Sequence, residues 1–111
     1  MNKAITFEDF ARVDLRVGTI IEVNDFPKAH RPAYQLTIDF GALGIKKSSA
    51  QITSLYTKTA LLNRQIVAVV NFPKKQIANF MSECLLLGAV NGKDVVLLNP
   101  EDRVINGSAV A

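Results

Sequence analysis

The chain has 111 residues, 49% of them hydrophobic and 21% charged, and carries a net charge of +3. This length fits one domain, residues 1–111, large enough to bury roughly two thirds of its unfolded surface in a core. A single histidine, His30, and a single cysteine, Cys84, provide neither a nucleophile and base pair nor a metal-ligand set, so no catalytic residue, metal or cofactor is expected.

The opening residues lack the apolar run of a signal peptide, and the longest uncharged apolar stretch falls short of a membrane span, so a cytoplasmic protein without membrane insertion is expected. Charge is segregated along the chain. Residues 26–75 hold eight basic residues and one acidic residue, a local charge of +7, while the rest sums to -4. Such a bias points to a surface facing a polyanion.

In chain order, Thr6-Phe7-Glu8-Asp9 has capping-box spacing and predicts a short helix over residues 7–12, with Phe7 and Phe10 on one face. From Val13 the period becomes two. Val13, Leu15, Val17, Ile21 and Val23 fall on one side of a long strand, and Asp14, Arg16 and Glu22 on the other. Gly18 within it marks a bulge or the bend of a barrel corner. Residues 24–32, with two prolines, read as a loop that starts at an exposed or half-buried Phe26. Tyr34, Leu36, Ile38 and Phe40 alternate with polar residues in a second strand, and residues 45–48 form a third that carries Lys46 and Lys47. The Ser48 to Gln51 spacing predicts a helix near residues 49–57. The uniformly apolar residues 66–70 read as a central strand ending near Phe72, because Pro73 cannot donate a ladder hydrogen bond. A fifth strand begins at 83, and Asn91-Gly92 signals a hairpin into a short strand at 95–98.

Three strands, a helix and two further strands are the order of an OB-fold, so the expected class is an all-β Greek-key barrel with N- and C-terminal extensions. OB-folds bind oligonucleotides on the face of strands 2 and 3 and on the loops joining strands 1 to 2 and 4 to 5. Lys28, Arg31, Lys46, Lys47, Lys74 and Lys75 fall on those elements and are the candidate nucleic-acid contacts. Phe26, Phe80 and Met81 stand beside the same loops as candidate apolar contacts. Tyr34 and Phe72 read first as core, with Phe72 also adjoining the second loop. The flanking segments, residues 1–12 and 99–111, carry Phe7, Phe10, Val104, Ile105 and Val110 outside a barrel complete without them. These side chains either fold back on the barrel or form a two-fold interface.

DLRVG at 14–18, NFPKKQI at 71–77 and MSECLLLG at 81–88 resemble the tRNA-binding-domain family found at the C-terminus of methionyl-tRNA synthetases and as free dimers. FPKAHRPAYQLTIDFG at 26–41 and GIKKSSAQIT at 44–53 resemble its CsaA branch, stand-alone export chaperones. The resemblance implies a homodimer joined through the segments flanking the barrel, unfolded or pre-secretory polypeptide as partner, and tRNA as a further partner. Ser82 matches a family serine that helps hold tRNA, whereas Glu83, Cys84 and Leu85 replace the glutamine, glycine and methionine that follow it. The alternative reading is a tRNA-binding protein whose chaperone activity is secondary.

Overall fold

The computed structural model describes residues 3–111; residues 1 and 2 of the expected N-terminal interface segment lie outside the described residues. Helix α1 (Phe7–Ala11) opens with the expected capping box. Thr6 Oγ1 accepts from the Asp9 N–H and Asp9 Oδ2 accepts from the Thr6 N–H, both at 3.1 Å. Strand β1 (Leu15–Asp25) is long enough to serve two neighbours. Its first half pairs with β4 (Gln65–Val69), its second with β2 (Tyr34–Asp39), and β2 pairs in turn with β3 (Ile45–Ala50). With β7 (Leu85–Leu86) on β4, the sheet order is β3-β2-β1-β4-β7, and the Glu83 N–H donates to the Lys47 carbonyl at 2.7 Å to draw the two edges together. The result is the all-β OB-fold barrel.

The interior is formed by Ile20, Leu36, Ile38, Phe40, Leu61 and Ile66, all fully buried. Strand β2 alternates buried and half-buried residues without a break, as its sequence predicts. Strand β1 corrects the expected face. The register slips between Ile20 and Glu22, so the bulge falls at Ile21 and not at Gly18, and Ile20 and Val23 both turn toward the core while Ile21 is exposed. Gly18 is required for a different reason: a Cβ there would lie 2.7 Å from Ile38 and 2.8 Å from Phe40.

Val17 is buried outside the barrel, beneath the C-terminal segment. The Gly107 and Val110 N–H groups donate to the Val17 and Leu15 carbonyls, and the Val17 N–H donates to the Ser108 carbonyl. A buried polar cluster anchors this strap. Gln65 donates to the Val104 carbonyl (2.7 Å) and accepts from the Val104 N–H (3.0 Å), while Thr19 donates to Asn106 Oδ1 (2.7 Å). The strap backbone thus folds back on its own barrel, yet Val104, Ile105 and Val110 keep their side chains exposed.

The expected helix at 49–57 is displaced. Helix α2 (Lys58–Leu61) starts after Thr57, whose hydroxyl accepts from the Ala60 N–H at 3.1 Å. Ser48 cannot cap because it is buried in β3 and donates its hydroxyl to the Cys84 carbonyl at 2.8 Å. A second correction falls between strands β4 and β7, where a loop was expected. Strands β5 (Lys75–Ile77) and β6 (Phe80–Ser82) form a hairpin that turns through Ala78 at φ +52°. The Asn91-Gly92 signal marks the hairpin of β8 (Gly88–Asn91) and β9 (Asp94–Leu97), with Gly92 at φ +63°.

Candidate functional site: an apolar groove with a basic rim

Pro73 ends the run of β4, so Phe72 leaves the sheet and is 55% exposed; its reading as core is corrected. The β5–β6 hairpin then rises beside the outer edge of β3. Between them lies a groove of about 510 Å³ lined by Ser49, Phe72, Pro73, Ile77, Cys84 and Leu85, with Lys74, Lys75, Ser82 and Glu83 at its polar side. A smaller hollow of about 180 Å³ adjoins it, lined by His30, Arg31, Gln51 and again Ser49 and Ile77.

The hairpin is braced from below. Phe26 is buried, not exposed at its loop, and its ring packs 5.4 Å from that of half-buried Phe80 at a tilt of 58°. Phe26 therefore supports the hairpin from beneath and lines neither hollow. Met81 is exposed but lies one residue out of phase with Phe80 and Ser82, off the groove wall. Lys46 and Lys47 are successive residues of β3, the first half-buried and the second exposed, and point to opposite sides. Lys28 is exposed on the 26–33 loop, outside both hollows. Of the residues singled out in the sequence, the groove gathers Phe72, Lys74, Lys75 and Ser82, with Arg31 in the adjoining hollow.

Glu83 organises the polar side. Its Oε1 accepts from the Lys47 N–H at 3.0 Å, and its Oε2 lies 3.4 Å from Lys74 Nζ. The other ion pairs among the described residues are Asp14–Arg16 and Asp25–Lys58, so Lys28, Arg31, Lys47 and Lys75 have no acidic partner there. Asp14, just before β1, accepts from Arg16 Nε two residues on at 2.7 Å. Burial pushes the Cys84 thiol up to about 11, against the smaller effects of the Ser48 hydroxyl and the Lys46 charge. At neutral pH this part of the wall is an uncharged thiol and adds to the apolar lining. Ser49 and Ile77 were not singled out in the sequence, and Leu85 only as a departure from the family pattern; the hairpin brings Ile77 to the same two hollows as Ser49.

A third hollow of about 440 Å³ lies between α1 and the strap and reaches Asn71, the residue before Phe72 of the groove. Phe7, Phe10, Val13, Leu15 and Val110 line it, and Phe7 is 79% exposed. Among the described residues, no helix is long and apolar enough to cross a membrane.

The chain matches, over residues 15–109, the family described as "Putative tRNA binding domain". Methionine–tRNA ligases of Thermococcus onnurineus and Pyrococcus horikoshii are 36% and 38% identical to it over 106 residues, 96% of this chain. The chain spans only 14% of the length of each ligase. Two solved structures are similar throughout. The chaperone CsaA from Bacillus anthracis str. Ames is 50% identical, with a TM-score of 0.93, over 98% of this chain and 100% of that one. The CsaA chaperone protein from Picrophilus torridus is 54% identical, with a TM-score of 0.92, over 97% and 100%. An OB barrel with a groove between β3 and the β5–β6 hairpin is thus, here, a tRNA-binding-domain protein. Within that family the chain belongs to the CsaA type.

Proposed function

We propose that the chain is a homodimeric, cytoplasmic chaperone of the CsaA type that holds unfolded or pre-secretory polypeptide in the groove and acts by binding, without catalysis. The observation that carries this reading is the character of the groove. Phe72, Pro73, Ile77, the protonated Cys84 and Leu85 offer a continuous apolar wall, and Glu83 neutralises the nearest cation, Lys74. Such a surface favours apolar side chains over phosphate. Dimerisation through α1 and the strap covers Phe7, Phe10, Val104, Ile105 and Val110, which the protomer leaves exposed.

A second reading, tRNA binding with chaperone activity secondary, draws on the unpaired Lys28, Arg31, Lys47 and Lys75 and on the family description. One experiment separates the two. Phe72 and Leu85 are about half exposed, so Phe72→Ala and Leu85→Ala leave the fold intact. Each is expected to weaken binding of reduced, carboxymethylated α-lactalbumin, a permanently unfolded polypeptide, by about 1 to 2 kcal/mol while leaving tRNA affinity within twofold. Loss of tRNA binding with polypeptide binding preserved would reverse the assignment.

A further inference from the structure

The chain holds two Asn-Gly pairs, Asn91-Gly92 and Asn106-Gly107. Asparagine is chemically labile. The backbone nitrogen of the following residue can attack its side-chain carbonyl carbon, and glycine, without a Cβ to shield that nitrogen or restrict the backbone, makes the attack easiest. The fold treats the two pairs in opposite ways. Asn106 is held at both reacting ends: its Oδ1 accepts from Thr19 Oγ1 at 2.7 Å and from Gln65 Nε2 at 3.1 Å, and the Gly107 N–H donates to the Val17 carbonyl at 2.7 Å. Gly107 is also packed, since a Cβ there would lie 2.5 Å from the Phe40 carbonyl oxygen. The strap must open locally before Asn106 can react.

Asn91 and Gly92 stand at the exposed tip of the β8–β9 hairpin, where Gly92 is the first central residue of the two-residue turn. Among the described residues, neither the Asn91 side chain nor the Gly92 N–H has a hydrogen-bond partner, and a Cβ on Gly92 would meet nothing within 4 Å. The base of the hairpin is tied to the barrel instead. Leu97 is buried and its N–H donates to the Tyr56 hydroxyl at 3.0 Å, and the Leu98 N–H donates to the Leu87 carbonyl at 3.1 Å. The tip can therefore change shape while the base holds.

We propose that Asn91 is a site of spontaneous deamidation in the folded protein, and that the strap protects Asn106 from the same reaction. The Gly92 nitrogen bonds to Asn91 Cγ and closes a succinimide ring, while the side-chain nitrogen leaves as ammonia with the proton that Gly92 gives up. Water then adds to one of the two ring carbonyls. Cleavage of the bond from the ring nitrogen to the side-chain carbonyl leaves aspartate at position 91; cleavage of the bond to the main-chain carbonyl leaves isoaspartate, with the β-carbon now part of the backbone. No oxidant, metal or enzyme takes part. Either product sets a carboxylate across from Asp94, the register partner of Asn91, where like charges repel and weaken the pair. Asn91 and Asp94 line neither hollow of the groove, so the change is confined to the hairpin tip.

The test needs no variant. The full chain is incubated at mildly alkaline pH, once folded and once unfolded in guanidinium chloride, and peptide mapping by mass spectrometry follows the conversion of amide to acid at each asparagine. In the folded protein Asn91 is expected to convert at least about tenfold faster than Asn106, and in the unfolded chain the two rates are expected to agree within about threefold, because both are then free Asn-Gly pairs. Both aspartate and isoaspartate should be recovered at position 91, as opening of a succinimide requires; aspartate alone would overturn the ring mechanism. Equal rates at the two sites in the folded protein, or a faster rate at Asn106, would overturn the proposal. So would a rate at Asn91 that falls about tenfold or more on folding, since the hairpin tip would then protect its asparagine as the strap does.

Discussion

Glu83→Gln tests the electrostatics of the rim. The variant keeps an oxygen to accept from the Lys47 N–H but loses the charge 3.4 Å from Lys74 Nζ. The Lys74 side chain is 67% exposed, so the ion pair is screened and its loss is expected to cost less than about 1 kcal/mol of stability. The larger effect is on ligands. A freed Lys74 can make one more phosphate contact, which steepens the dependence of log K on log salt by about 0.7 to 0.9. At about 0.15 M salt that slope corresponds to roughly four- to sixfold tighter tRNA binding. Polypeptide affinity, which depends on the apolar wall, is expected to stay within twofold. Fluorescence anisotropy of labelled tRNA across a salt series reads both quantities. Unchanged affinity and unchanged slope in a folded variant would refute the idea that Glu83 withholds Lys74 from phosphate.

Changing Phe7 and Phe10 together to serine should yield a folded monomer in sedimentation velocity at micromolar concentration, because both side chains are exposed in the protomer. An intact dimer would remove the role given to α1, and a wild-type monomer would remove the dimer. Cys84 predicts a pH effect whose sign is set by its raised pKa. The folded thiol keeps its proton up to about 11 whereas the unfolded thiol loses it near 9.0, so its stabilising contribution is complete below pH 9 and declines as pH rises toward 11. The decline is on the order of 3 kcal/mol, and denaturant titrations of Cys84→Ala should lack it; equal pH slopes in the two proteins would contradict the burial argument.

The barrel was legible where one rule governs a whole element. Strand β2 alternates from Tyr34 to Phe40 with every odd partner turned out, and the apolar run at 66–70 falls in β4, an interior strand held between β1 and β7 and buried at all but one of its positions. Legibility failed where a tertiary contact overrides a local signal. Period two placed Ile21 inside, but the bulge resets the phase so that Ile20 fills the core. Ser48 has capping spacing to Gln51, yet its hydroxyl is already committed to the Cys84 carbonyl. The β5–β6 strands are three residues each and turn through Ala78, a residue that carries no turn signal, so the hairpin that builds the groove was invisible. Loop position also proved a poor guide to exposure: Phe26 is buried as a brace, while Phe72, at the end of an apolar strand, faces solvent.

The central claim is that polypeptide occupies the groove in the cell. Its most direct test replaces Phe72 by photoreactive benzoylphenylalanine, irradiates living cells, and identifies what is covalently captured. The account predicts unfolded or nascent polypeptide as the predominant product, with capture falling when Leu85→Ala is added. Predominant capture of tRNA at this position would contradict it.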